Sequence, residues 1–418
     1  MRRNWRLFSI LLVFALLSSL IFATDFTVGE SYHGFQLLEK RFVTEVNAEC
    51  LLFEHGKSGA SLLKIVSDDA NKTFSIGFKT VPESDAGTPH IMEHSVLNGS
   101  KNFPVKSPFD VLSKGSLKTF LNAFTGKDVT LYPIASMNDK DYFNLMHVYL
   151  DAVFNPLLYS DPRIFKQEGW HRELADKDSP IVYKGVVYNE MKGAFSNPDR
   201  ELYYHEYRYL FPDNGYGYSS GGYPEAIPTL SYEQYTDYHS RYYHPSNSHI
   251  FLYGNADLEK ELAFIDEYYL QNYEKADVKG KFALQEPFEK SKEVQEYYAM
   301  PEGAATENQT YLSHNVVAGL NTDRALYMAF DVLSDILVNH EAGPIRLALE
   351  EAGIGMDVSA GIDDYKQMVF QIVARNANAE DMPRFQEIID STLRKVVEDG
   401  LDKEMVQGIL NRLEFNLR

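Results

Sequence analysis

The chain has 418 residues, enough for two or three domains, and 44% of them are hydrophobic and 13% aromatic, which excludes a disordered composition. The formal net charge is −20, and about −23 once Arg2, Arg3 and Arg6 are set aside with the N-terminal segment. An acidic balance of this size argues against a nucleic-acid binder, which needs a basic face, and leaves solubility or steering of basic peptides as its roles.

Residues 1–23 read as a secretory signal: a basic start, an apolar run from Leu7 to Phe22 and Ala23 as the cleavage-site residue. The run is short for a spanning helix, although an uncleaved N-terminal anchor is the competing reading. Cys50 is the only cysteine and cannot form an internal disulfide, and no second segment is long and apolar enough to cross a bilayer. Together these predict an exported protein, periplasmic or extracellular in a bacterium, with no stable membrane insertion after cleavage. Strands are expected through residues 32–82, at Phe42–Val46, Glu49–Glu54, Ser61–Val66 and Thr73–Phe78, with His55–Gly59 as a turn.

The next segment is the most informative. His90-Ile91-Met92-Glu93-His94 is H-x-x-E-H, the reversed form of a zinc-hydrolase motif. On a helix, imidazoles four residues apart lie about one turn from each other on one face, within reach of one metal ion. Glu93 lies beside them and is placed to take a proton from a water. Thr88 as N-cap and Pro89 at the first helical position start the helix where the motif needs it, and Asn98-Gly99 end it. A solvated helix face or a pair of core histidines is the bland alternative. Zinc needs a third protein ligand and an open position. Glu190, in Tyr188–Gly193, is the candidate, 96 residues beyond His94, a spacing with no physical force of its own.

Downstream, Ser107–Ser116 is predicted helical. Leu121–Tyr132 reads as a hairpin turning at Gly126-Lys127-Asp128, and Lys140–Phe154 as an amphipathic helix whose apolar stripe is core. Helices are expected over Arg163–Glu173 and Ile181–Met191, a packed aromatic loop over Tyr203–Tyr223, a helix over Ser231–Tyr243 and a strand over His249–Tyr253. His239, His244 and His249 read as ordinary core or surface residues. Residues 273–303 form the linker. Strands at Tyr311–Ala318, Asp357–Ile362 and Gln367–Ala374 then alternate with helices at Arg324–Asn339, Pro344–Ala352, Pro383–Asp399 and Lys403 onward. This repeats the first strand–helix order without its His/Glu site, and no short-period repeat is evident.

The stretches GTPHIMEHSVLNGSKNFPVKSPF, LKTFLNAFTGKDVTLYPIAS and YKGVVYNEMKGAFSNPDR resemble the presequence protease branch of the pitrilysin-type, inverted-zincin metallopeptidases, N-terminal half. The likeness extends over nearly all of the chain beyond residue 23. It implies an α+β fold of two related domains, each a mostly antiparallel sheet with helices on one face. A catalytic domain would span 24–272, followed by a linker at 273–303 and an inactive sister domain at 304–418, truncated at its C-terminus. The resemblance also implies a metalloendopeptidase for short unfolded peptides, with one Zn2+ per chain held by His90, His94 and Glu190 and with Glu93 as base. His₂Glu donors favour zinc over cobalt or manganese. By the same resemblance substrate adds to the first arm of the 121–132 hairpin, at Asn122 and Ala123. The partner is a C-terminal half of the same enzyme. Asn98 departs from the family, whose members often carry Cys there. The alternative function is a non-catalytic peptide-binding or assembly half that needs its partner for activity.

Overall fold

A computed structural model describes residues 25–278 and 282–417. They fall into two compact units, one of residues 25–80, 88–171 and 230–278, the other of 81–87, 172–229 and 282–417. The fold is α+β, as expected.

The first unit is built on one mixed sheet. Its strands are Ser31–Tyr32 (β1), Phe35–Val43 (β2), Ala48–His55 (β3), Ser61–Val66 (β4), Lys72–Lys79 (β5), Lys118–Leu121 (β6), Phe124–Thr125 (β7), Val129–Ser136 (β8) and Ser248–Gly254 (β9). The order is β1-β2-β3-β4-β9-β5-β8-β6, with β7 also on β8. All pairings are antiparallel except that of β4 with β9. Alternation explains the inner face: Phe74, Ile76 and Phe78 of β5 and Tyr132 and Ile134 of β8 are fully buried. A Cβ on Gly77 would lie 2.5 Å from the Leu131 side chain on neighbouring β8, which would have to shift to admit it. Helix Asp139–Phe154 starts at its Asn138 cap and packs on β5 and β8, burying Tyr142, Leu145, Met146, Tyr149 and Val153.

Two polar clusters fasten this unit. Lys64 on β4 and Glu261 on helix Leu258–Tyr268 form a buried ion pair at 2.7 Å, and the Tyr142 hydroxyl donates to the same carboxylate at 2.6 Å. Burial pushes Glu261 up, against the pull of Lys64 and Tyr142. His55 accepts from the Ser58 backbone amide at Nδ1 and donates from Nε2 to Asp266 at 3.0 Å, with Ser58 Oγ 2.7 Å from Nδ1. These are the residue types of a nucleophilic triad, but Ser58 is wholly buried, so the cluster ties the β3–β4 turn to the helix instead.

The second unit holds a three-stranded antiparallel sheet in the order Thr310–Leu320, Gln367–Ala377, Asp357–Asp363. Leu337, Val338, Ile345, Leu349, Phe385 and Ile389 pack with Phe370 and Ile372 to form its core. No helix or strand lies between Asn272 and Thr310 among the described residues. Three local expectations are corrected. Arg163–Glu173 is helical only over Pro162–Glu168, because Gly169 stops the helix, and His171–Glu173 is a strand. Ile181–Met191 divides at Gly185, whose φ of 157° no helix accepts, into strand Val182–Lys184 and helix Val186–Ala194. The aromatic segment 203–223 is helical through Leu210: Asn197 caps a helix that begins at Pro198. No helix among the described residues is long and apolar enough to cross a membrane.

Candidate metal centre

The motif lies on helix Thr88–Val96, which begins at Thr88, one residue earlier than the capping pattern suggests. Ile91, Met92, Ser95 and Val96 are buried, so the helix is held by its apolar side while His90 and His94 remain half-buried. Their rings meet edge to face with centroids 4.9 Å apart, as four-residue spacing requires. Glu190 is an exposed residue of helix Val186–Ala194. His90 and His94 belong to the first unit and Glu190 to the second. Two imidazoles and a carboxylate are a donor set that fits zinc.

Glu93 is buried, 8% exposed. The Thr125 hydroxyl donates to its Oε2 at 2.5 Å. Tyr132, Tyr149 and Tyr243 are tyrosines whose hydroxyls are pushed up, first by burial and further by the Glu93 charge. They therefore stay protonated beside the carboxylate, with Tyr132 and Tyr243 sharing a 2.8 Å hydrogen bond.

Glu168 and Gln167, which the sequence did not single out, join Asn98 behind His94. Glu168, 4% exposed, lies 3.3 Å from His94 Nδ1. A carboxylate only accepts, so Nδ1 carries the proton and Nε2 keeps its lone pair, the form that binds a metal. Asn98 donates to both the His94 carbonyl, at 3.0 Å, and Glu168 Oε1, at 2.9 Å, and Gln167 donates to Glu168 at 2.7 Å. Burial raises Glu168, but hydrogen bonds from His94, Gln167 and Asn98 outweigh it and hold the carboxyl below its ordinary range. Nothing in the spacing of Glu168 signals this role. Asn98 is thus an amide that bridges the His94 backbone and the Glu168 carboxylate.

Asn122 and Ala123 fall in the break between β6 and β7 rather than within a strand. The Asn122 amide donates to the Pro133 carbonyl at 3.3 Å, and its own carbonyl accepts from the Tyr149 hydroxyl at 3.2 Å. The turn forms as expected, with Gly126 N–H donating to the Val129 carbonyl at 2.7 Å. His239 is no ligand: it accepts from Tyr159 and donates to the Val153 carbonyl, and burial lowers it to about 4.

A model described as the peptidase M16 inactive domain matches residues 229–413, a span that excludes His90, His94 and Glu190. The chain is 47% identical over 395 residues to protein HypA of Clostridium perfringens, covering 94% of this chain and 41% of that protein. It is 40% identical over 390 residues to presequence protease 1, chloroplastic/mitochondrial, of Arabidopsis thaliana, covering 92% and 36%. The chain belongs to the M16 peptidase family. Within M16 it goes with the presequence protease branch. The M16 fold is seen also in pitrilysin, with a TM-score of 0.63 at 18% identity over 92% of this chain and 40% of that one. A protease from Helicobacter pylori gives 0.60 at 14% identity, covering 88% and 85%. The chain spans about two fifths of the length of the curated M16 relatives it matches.

The expected periplasmic or extracellular location is overturned: M16 relatives whose names carry a compartment are mitochondrial or chloroplastic presequence proteases. An Arg-rich, acid-free start containing Ser is a composition that secretory and organellar targeting segments share, so it does not carry a location. The proposed signal at 1–23 lies outside the described residues.

Proposed function

We propose that this chain carries the hydrolytic site of a zinc-dependent endopeptidase acting on short unstructured peptides. His90, His94 and Glu190 would hold one Zn2+, and the observation that carries the reading is the meeting of the His90 and His94 rings on one helix face, centroids 4.9 Å apart, with Glu93 buried beside them. Bound there, the ion supplies Lewis acidity, polarising a carbonyl and making a water acidic enough to be deprotonated near neutral pH. Glu93 takes the proton from the attacking water and returns it to the leaving amine. Glu168 holds His94 in the metal-binding tautomer. The low-dielectric surroundings made by Tyr132, Tyr149 and Tyr243 strengthen the electrostatic interactions of Glu93. β6 ends the sheet order, which supports addition of an extended peptide along that edge, with Asn122 and Ala123 as its contacts. Backbone pairing reads few side chains and suits unfolded substrates of varied sequence.

A second reading is a non-catalytic peptide-binding half completed by a partner half. It is favoured by the match of residues 229–413 to the inactive-domain model. One experiment separates the two. The purified chain is given an unstructured fluorogenic peptide with and without chelator, and bound metal is measured on the same sample. Chelator-sensitive cleavage with about one zinc per chain is the expected result. Zinc without cleavage favours the second reading, and no zinc removes the ligand assignment. Glu93→Gln should retain the metal and lose at least about a hundredfold in kcat.

A further inference from the structure

The geometry points to Thr125 as a positioning residue for the base, an inference that rests on the proposed role of Glu93. β7 has two residues, and its pairing to β8 joins Phe124 to Leu131 and Thr125 to Thr130. The motif helix packs against this short strand. The Thr125 hydroxyl donates to Glu93 Oε2 at 2.5 Å. The direction of donation is fixed because an ionised carboxylate only accepts. Thr130, which faces Thr125 in the ladder, is itself fully buried and hydrogen-bonded to Thr80 at 2.7 Å, and the Gly126 turn closes at 2.7 Å. The hydroxyl is thus fixed by backbone that cannot shift without breaking the hairpin.

A general base must present one oxygen to the water at hydrogen-bonding distance, and a glutamate with free rotamers spends most of its time elsewhere. Thr125 holds Oε2 and so limits the rotamers of the Glu93 carboxylate. The same hairpin carries Asn122 and Ala123 two or three residues earlier. The element proposed to receive the peptide therefore also orients the base, and the scissile bond and Glu93 are registered to one piece of backbone. Thr125 touches neither substrate nor metal in this scheme. Its effect passes through Glu93.

The test uses the full chain loaded with zinc, with Thr125→Val, which keeps the β-branched shape and removes the donor, and Thr125→Ser, which keeps the donor. Thr125→Val should lower kcat by about ten- to a hundredfold while KM stays within roughly twofold and zinc content is unchanged. Thr125→Ser should stay within about threefold of the parent in kcat. Parental kcat in Thr125→Val, or an equal loss in Thr125→Ser, overturns the inference. A second arm reads the contact without activity. Urea midpoints of the metal-free parent, Thr125→Val, Glu93→Leu and the double variant form a cycle. The midpoint shift caused by Thr125→Val should at least halve, to about 50% or less, in the Glu93→Leu background, whereas additive shifts overturn the contact. If the parent cleaves no peptide, the peptidase reading fails by itself, and the metal-free cycle still decides for or against the Thr125–Glu93 bond.

Discussion

The carboxylates of this chain are set by their neighbours rather than by their residue type. Glu168 is held low by three donors and fixes the His94 tautomer. Glu168→Gln can still bridge Asn98 and Gln167 but no longer favours the proton on Nδ1. It should weaken zinc binding by about ten- to a hundredfold, read by competition against a chromogenic chelator, with the circular dichroism spectrum unchanged. Glu206 is the opposite case. Burial pushes its carboxyl from 4.5 up to about 7, against hydrogen bonds from Ser313 and Asn315. A carboxyl raised in the folded state favours folding while it is protonated, and that advantage is lost as pH rises from its unfolded value through about 7. Relative to the parent, Glu206→Gln should therefore gain up to about 3 kcal/mol in urea-melt stability between pH 5 and pH 8. An unchanged difference would place Glu206 in a wetter setting than its burial implies.

Elements in the first unit are fastened by polar groups where apolar packing alone would leave register undefined. The Lys64–Glu261 pair with Tyr142 joins β4, helix Leu258–Tyr268 and helix Asp139–Phe154 at one buried point. Lys64→Met should cost about 3–5 kcal/mol by leaving Glu261 charged and buried without its cation. Adding Glu261→Leu should restore most of that loss, measured by denaturant melts of the single and double variants. Periodicity made most elements legible beforehand: the strand Gln367–Ala377 and the helices Asp139–Phe154 and Met382–Asp399 lie within a few residues of their expected bounds. Boundaries failed where one glycine or one cap decides. Gly169 and Gly185 broke two expected helices, and Asn197-Pro198 started a helix inside an aromatic segment whose residues favour no single state.

At the scale of the whole chain, charge is the property that reaches farthest. With a formal net charge of −20, the surface field should draw basic peptides and repel acidic ones. If the peptidase reading holds, kcat/KM for a basic peptide should fall as salt rises from about 20 to about 200 mM, while that for an acidic peptide of the same length rises. Equal salt responses would reduce the acidity to a solubility device.

The sequence by itself determined the motif helix, the spacing that puts His90 and His94 on one face, the order of strands and helices, and the family, because these depend on local periodicity and on runs of residues read directly. Tertiary structure alone decided the rest. The carboxylate behind His94, the hydroxyl on Glu93 and the place of β6 at the end of the sheet are all contacts between distant segments. No spacing rule encodes them, since loop closure costs little that depends on length and the packing of the sheet chooses which segments meet.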